Sequence, residues 1–183
     1  MAGNMGFTRD IGPAVIQWGT TEIAEIFEEV RLTLNAEDPA AVTEALRGAT
    51  PVDHVLMGYS ECSVTVPATR ILRATLATIL PGGSSSGGTS GLVRIKPHLT
   101  VGLSMYDGSQ PLFIRPIVNG VAETIGASGG HCMRIEHAYP VPKFDIAFNL
   151  KDQRTYAMVF YGHPDATTGI LWSAGKVSTT GST

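Results

Sequence analysis

The sequence predicts a mainly β fold: an antiparallel sandwich or barrel with one α-helix on its flank. Three observations carry this. Apolar and polar residues alternate with period two in segment after segment, which lays one face of each strand on a core. A late pair of alternating segments reads as a hairpin. One amphipathic stripe with helical spacing stands out among them, and a lone helix beside many strands packs on the flank of a sheet.

The strands follow in order. Ala14, Ile16 and Trp18 share a face, and Val30, Leu32 and Leu34 share another, opposite Arg31 and Thr33. Cys62, Val64 and Val66 alternate with Ser63 and Thr65. Val93 and Ile95 alternate with Arg94 and Lys96, and Val101, Leu103 and Met105 with Thr100, Gly102 and Ser104. Leu112, Ile114 and Val118 continue the pattern, and Met133 and Ile135 oppose Arg134 and Glu136. The hairpin comprises Phe144, Ile146, Phe148 and Leu150, a polar turn at 151–154, and Tyr156, Met158 and Phe160. Ala157, Val159 and Tyr161 make the second face of that last strand apolar too, as in a central strand or one covered by a neighbouring subunit.

The helix is expected at about 69–80, where Leu72, Leu76, Ile79 and Leu80 form the stripe and Pro81-Gly82 ends it. Asp38 to Arg47 is a second helical candidate, with Asp38 as cap, Pro39 in the first turn and Gly48 as terminator. The segment 82–91, GGSSSGGTSG, has the composition of a flexible loop, and the small polar tail at 178–183 is expected to fray.

The 183 residues suit one domain, which buries roughly 70% of the surface its unfolded chain exposes. Charged residues make up only 16%. Either partners cover part of the surface, or the surface is rich in Thr, Ser and Gly. The net charge of −3 argues against a reader of nucleic acid built on clustered Lys and Arg. Cys62 and Cys132 lack CxxC partners and fall in strand patterns, which suits buried free thiols. Met1 to Pro13 has no apolar signal-peptide core, and no stretch reaches the roughly 20 apolar residues of a membrane span. The expectation is a protein made in a cytoplasm and kept off the membrane.

Catalytic patterns find little support. Gly126-Ala-Ser128-Gly-Gly130 matches G-x-S-x-G, but a nucleophile elbow needs a helix after the serine, and residues 131–137 alternate like a strand. The five histidines, at 54, 98, 131, 137 and 163, form no compact ligand spacing, and His131 and His137 lie about 20 Å apart along a strand. Gly175-Lys-Val-Ser178 lacks the spacing of a phosphate loop. Trp18 and Trp172 form no aromatic cluster for a glycan. No enzyme activity, cofactor or metal is expected.

Three segments, taken in order, resemble the major tail protein, or tail tube, family of tailed phages. They are Asp10-Ile-Gly-Pro-Ala-Val-Ile-Gln-Trp-Gly-Thr-Thr; then Ala49-Thr-Pro-Val-Asp53-His-Val-Leu-Met-Gly58 with Cys62 to Pro67 and a helix ending Ile79-Leu-Pro-Gly82; then Gln153 to Asp165. The resemblance covers the chain in pieces and implies a single domain of tail-tube type, related in fold to the type VI secretion tube. It implies hexameric rings that stack into a tube, hold a tape-measure protein and pass DNA without binding it specifically. Tail terminator and baseplate proteins would meet the tube ends, and a sheath protein would surround it if the tail contracts. The place of the protein would be the virion tail. A terminator, completion or baseplate-hub ring on the same fold is the alternative.

The resemblance also implies an inter-ring loop at about 35–59, often extended in the family, which conflicts with the helical reading of Asp38 to Arg47 and leaves the conformation of 38–48 open between the two. Its interface candidates are Asp38, Arg47, Asp53, Met57 and Tyr59, with Tyr161 on the apolar outer face of the late strand. The Gly/Ser segment 82–91 matches no family element.

Overall fold

In a computed structural model of the chain, the described residues are 13–23, 29–44, 50–55, 58–68, 71–80, 84–87, 93–96, 101–128, 130–141 and 156–179. They form a mainly β, antiparallel structure with one short helix. The strands are β1 (Ala14–Trp18), β2 (Thr21–Ile23), β3 (Arg31–Ala36), β4 (Ala40–Glu44), β5 (Thr50–Val55) and β6 (Tyr59–Ala68). The helix α1 (Arg73–Ile79) follows, then β7 (Ser84–Gly87), β8 (Val93–Lys96), β9 (Gln110–Val118), β10 (Val121–Ala122), β11 (Cys132–Val141), β12 (Tyr156–His163) and β13 (Trp172–Gly175).

Nine strands join in one sheet with the order β2-β1-β9-β11-β12-β6-β3, while β10 extends β9 and β13 pairs with β11. No closed barrel forms among the described residues, and β2 and β3 end the path. One face carries the core. It takes Ile16 and Trp18, Ile23, Val64 and Val66, Leu112, Ile135, Met158 and Phe160, all buried, with Ile79 of α1. Each such side chain contributes about 1.5–3 kcal/mol by leaving water. Trp18 and Phe160 have ring centroids 6.3 Å apart, although β9 and β11 lie between their strands. Three strand steps span about 14 Å on a flat sheet, so this face is concave and its rings converge.

The alternation readings hold for β1, β3 and β6. In β11 they hold through Glu136 and break at His137. Ile135 and Ala138 both belong to the core, and the register against β9 shifts between them. Three positions span what alternation would cover in two, so Glu136 and His137 form a bulge and both side chains leave on the outer face. The loop after β12 takes up the displaced backbone, since the Glu136 N–H donates to the Leu171 carbonyl at 3.1 Å.

Several expectations are corrected. Helix α1 covers Arg73–Ile79, not 69–80; Thr69 and Arg70 lie outside the described residues. Leu72 precedes the helix and is exposed, while Ile79 and Leu80 are buried, so the stripe is shorter than its spacing suggested. The helical reading of Asp38 to Arg47 fails where it is described: Ala40–Glu44 is strand, paired with Thr50–Val55. Capping residues have little force against a cross-strand ladder. Within 82–91, Ser84–Gly87 is not a loop but a strand against Val93–Lys96, and α1 packs on both strands. Val101, Leu103 and Met105 are exposed loop and turn residues, because Gly102, at φ +83°, turns the chain. The first half of the expected late hairpin, Phe144 to Leu150, its turn at 151–154 and the tail from 180 lie outside the described residues. The second half, β12, lies between β11 and β6.

Candidate functional site

The bulge in β11 positions the densest group of chemically capable side chains among the described residues. It turns His137 onto the outer face, where β12 places His163 directly opposite. Two loops close over the pair. The loop at 101–109 brings Tyr106 and Ser109. The segment 164–171 loops out between β12 and β13, both of which pair with β11, and it brings Asp165.

Tyr106 lies on both histidines. Its ring centroid is 4.6 Å from His137, tilted by 31°, and 6.4 Å from His163 in an edge arrangement. The loop can approach this closely because residue 108 is glycine: a Cβ there would sit 2.6 Å from the ring of Tyr139. Asp165 is fixed by its own turn. Its Oδ1 accepts from the backbone N–H of Thr167 at 3.0 Å and of Thr168 at 2.7 Å, and from the Thr168 hydroxyl at 3.0 Å. The backbone N–H and then the hydroxyl of Thr168, followed by His137, hold its carboxyl down at about 2. Burial holds His163 below the usual histidine value, and the neighbouring His137 adds to this.

Ser109, His137 and Asp165 form a chain: Ser109 Oγ is 2.9 Å from His137 Nδ1, and Asp165 Oδ2 is 3.4 Å from Nε2. The same three residue types make a hydrolytic triad, so the proton positions matter. The Ser109 hydroxyl donates to the Tyr106 carbonyl at 2.6 Å. Its oxygen therefore accepts from Nδ1–H, the reverse of what a general base needs. Nearby N–H groups are already engaged: Ala166 donates to Tyr106 Oη at 3.0 Å, Ser109 to the Tyr106 carbonyl at 3.1 Å, and Thr167 and Thr168 to Asp165. Acyl transfer needs such donors aimed at a developing oxyanion. The arrangement suits fastening two loops to a sheet through one imidazole.

A second polar group shares the outer face. Arg134 and Glu136, nearly fully buried, pair at 2.7 Å. Arg134 also donates to the Ser178 carbonyl at 2.8 Å and lies over the Phe113 ring. The sequence reading turned these two toward water or a partner; the C-terminal segment, with Val177 buried beside Phe113 and Cys132, covers that face instead. Cys62 and Cys132 are buried and free. Burial raises both thiols, and Glu123 raises Cys132 further.

The structure does not gather the expected interface residues at this site. Asp38 and Asp53 are exposed on the hairpin between β3 and β6, and Tyr59 is exposed at its base. Tyr161 is half-buried in the body of the sheet, opposite Tyr139 and Ser63. Arg47 and Met57 lie outside the described residues. Ser128 is exposed in a turn after β10, and the next element is the strand β11, not the helix that an elbow needs; Gly129 lies outside the described residues. Sequence reasoning missed Tyr106, Ser109 and Asp165 as site residues, and it weighed His137 only against His131, not against His163, its cross-strand partner. The local signal was Asp165-Ala-Thr-Thr168, an aspartate with threonines placed to cap its own turn. Among the described residues no three His, Cys, Asp or Glu side chains converge on a metal position, and no helix is long and apolar enough to cross a membrane. No protein-family model matches the chain, and no curated protein matches it.

Proposed function

We propose that this protein is a structural subunit of a phage tail tube, a non-enzymatic sandwich of tail-tube type that works as a hexameric ring. Rings stack into a hollow tube that holds a tape-measure protein and later conducts DNA.

One observation carries most of the weight. Strands β4 and β5 form a two-stranded sheet of their own. They continue the β3–β6 ribbon through a hydrogen bond from the Glu37 N–H to the Gly58 carbonyl at 2.9 Å. The side chains described on this arm, at 40–43 and 53–55, are all exposed, Val42 and Val55 among them. A lone two-stranded ribbon is marginal in water, and ordering its backbone costs about 1–2 kcal/mol per residue. An arm of this kind gains its stability by docking on something else, and the inter-ring loop of a tube is such an arm. The strands that end the sheet path, β2 and β3, suit joints to neighbouring subunits in a ring. The net charge of −3 suits a wall that DNA slides past.

Negative-stain electron microscopy of the concentrated protein tests this. Rings and stacked tubes are expected. Rings that never stack favour a terminator, completion or baseplate-hub protein, and a monomer under all conditions, including after seeding with a tail initiator, rejects both.

A further inference from the structure

We propose that His137 is a proton-operated latch: uptake of one proton transfers its Nε2 from the Tyr106 hydroxyl to the Asp165 carboxylate, and so loosens the 101–109 loop while tightening the 164–168 turn. The proposal concerns the folded subunit alone and does not depend on its assembly into a tube.

The geometry offers Nε2 two partners at equal distance. Tyr106 Oη and Asp165 Oδ2 each lie 3.4 Å from it. One is a donor and the other only an acceptor. Nδ1 is committed in both states, because the Ser109 hydroxyl gives its hydrogen to the Tyr106 carbonyl and must receive one from the ring. In the neutral ring Nε2 is a lone pair. It accepts from the Tyr106 hydroxyl, and Asp165 Oδ2 faces it without a hydrogen between them. In the imidazolium Nε2 carries a hydrogen, which goes to Asp165, and the Tyr106 hydroxyl loses its acceptor. Gain or loss of one proton at Nε2 therefore exchanges one partner for the other.

The surroundings favour a single proton. From β12, His163 faces the same ring, and its Nε2 is buried with no hydrogen-bond partner. Two adjacent imidazolium ions would repel, and burial already disfavours charge on His163. The loop brings Tyr106, with Asp107 next to it; β11 brings Tyr139, and Glu136 on the far side is held by Arg134. The turn brings Asp165, the carboxylate that among the described residues lies within reach of Nε2. The Tyr106 hydroxyl also accepts from the Ala166 N–H, so its departure strips that amide of its partner. The Thr168 N–H donates to Asp165, so a better-held Asp165 protects it.

Two amides two residues apart should therefore respond to acid in opposite directions. The experiment is hydrogen exchange by NMR on the full chain at about pH 7.5 and about pH 5.5, corrected for intrinsic rates. Exchange at Ala166 is expected to rise by about three-fold or more on acidification, and at Thr168 to fall by a similar factor. Tyr106→Phe should abolish the response at Ala166 while leaving that at Thr168, and Asp165→Asn should abolish the response at Thr168. The wild-type measurement decides even where a variant fails to fold. If both amides quicken together, the whole region opens and the latch is wrong; if neither changes, His137 is a fixed brace.

Discussion

The indole Nε1 of Trp18 donates a 2.8 Å hydrogen bond to the carbonyl of Ala138, 120 residues further along the chain. The bond is buried and ties β1 to β11 across the intervening β9. It sits just past the bulge, at the point where β11 turns His137 outward and Ala138 inward. Trp18→Phe keeps an aromatic ring but leaves that carbonyl without its donor. A loss of about 2–4 kcal/mol is expected from the orphaned acceptor and the lost volume. Urea denaturation at constant m-value checks it, and a loss below about 1 kcal/mol would show that the bond is replaceable.

Gly162 of β12 sits hard against the core. A Cβ there would lie 2.6 Å from Cys62 Sγ and 2.9 Å from Ile135 Cγ2. Gly162→Ala is expected to cost about 1–3 kcal/mol by overpacking. Pairing it with Cys62→Ala should recover part of the loss, and strict additivity of the two changes would contradict the clash.

The buried pair Arg134–Glu136 separates two effects of charge. Glu136→Ala strands a buried guanidinium and is expected to cost about 3–5 kcal/mol. The double replacement Arg134→Met with Glu136→Leu should cost clearly less, because it removes both charges. Thermal melts of the single and double variants give the comparison.

Acid should destabilise the fold in two windows. His163 lies below its ordinary value of 6.5, so the unfolded chain takes up its proton first and stability falls as pH drops below that value. Asp165 lies at about 2 against an ordinary 3.8, and its contribution, present above 3.8, is lost as pH falls toward 2. His163→Gln should flatten the upper window only. A stability profile unchanged by that substitution would count against the burial assigned to His163.

Exposed apolar residues on the arm should matter for assembly and not for folding. Val42→Asp and Val55→Asp are expected to change monomer stability by no more than about 0.5 kcal/mol, yet to abolish higher-order particles in sedimentation velocity. Assembly at the wild-type level would remove the arm from the interface.

Strand periodicity was legible because it is local. Ile16 with Trp18, Cys62 with Val64 and Val66, and Met158 with Phe160 alternate in the sequence and point into one core in the structure. Helix α1 was legible for the same reason, though Ile71 and Leu72, read as part of its first turn, precede it. Asp38 to Arg47 misled because capping residues describe what a segment does alone, whereas β4 is set by its ladder with β5. The Gly/Ser composition of Ser84–Gly87 misled in the same way, since a backbone ladder needs no apolar side chain.

The sequence by itself determined the mainly β class, the period of the strands and the burial of both cysteines, all consequences of neighbours within a few residues. Only the tertiary structure decided that β11 carries a bulge and that Tyr106, Ser109, His137, His163 and Asp165 meet. These residues come from two loops and two strands, and no spacing along the chain encodes which strand lies opposite which. A single extra residue in the ladder, at Glu136 and His137, reverses the faces on either side of it. That choice is made by the pairing of β11 with β9, β12 and β13, where hydrogen bonds between distant segments outweigh local alternation.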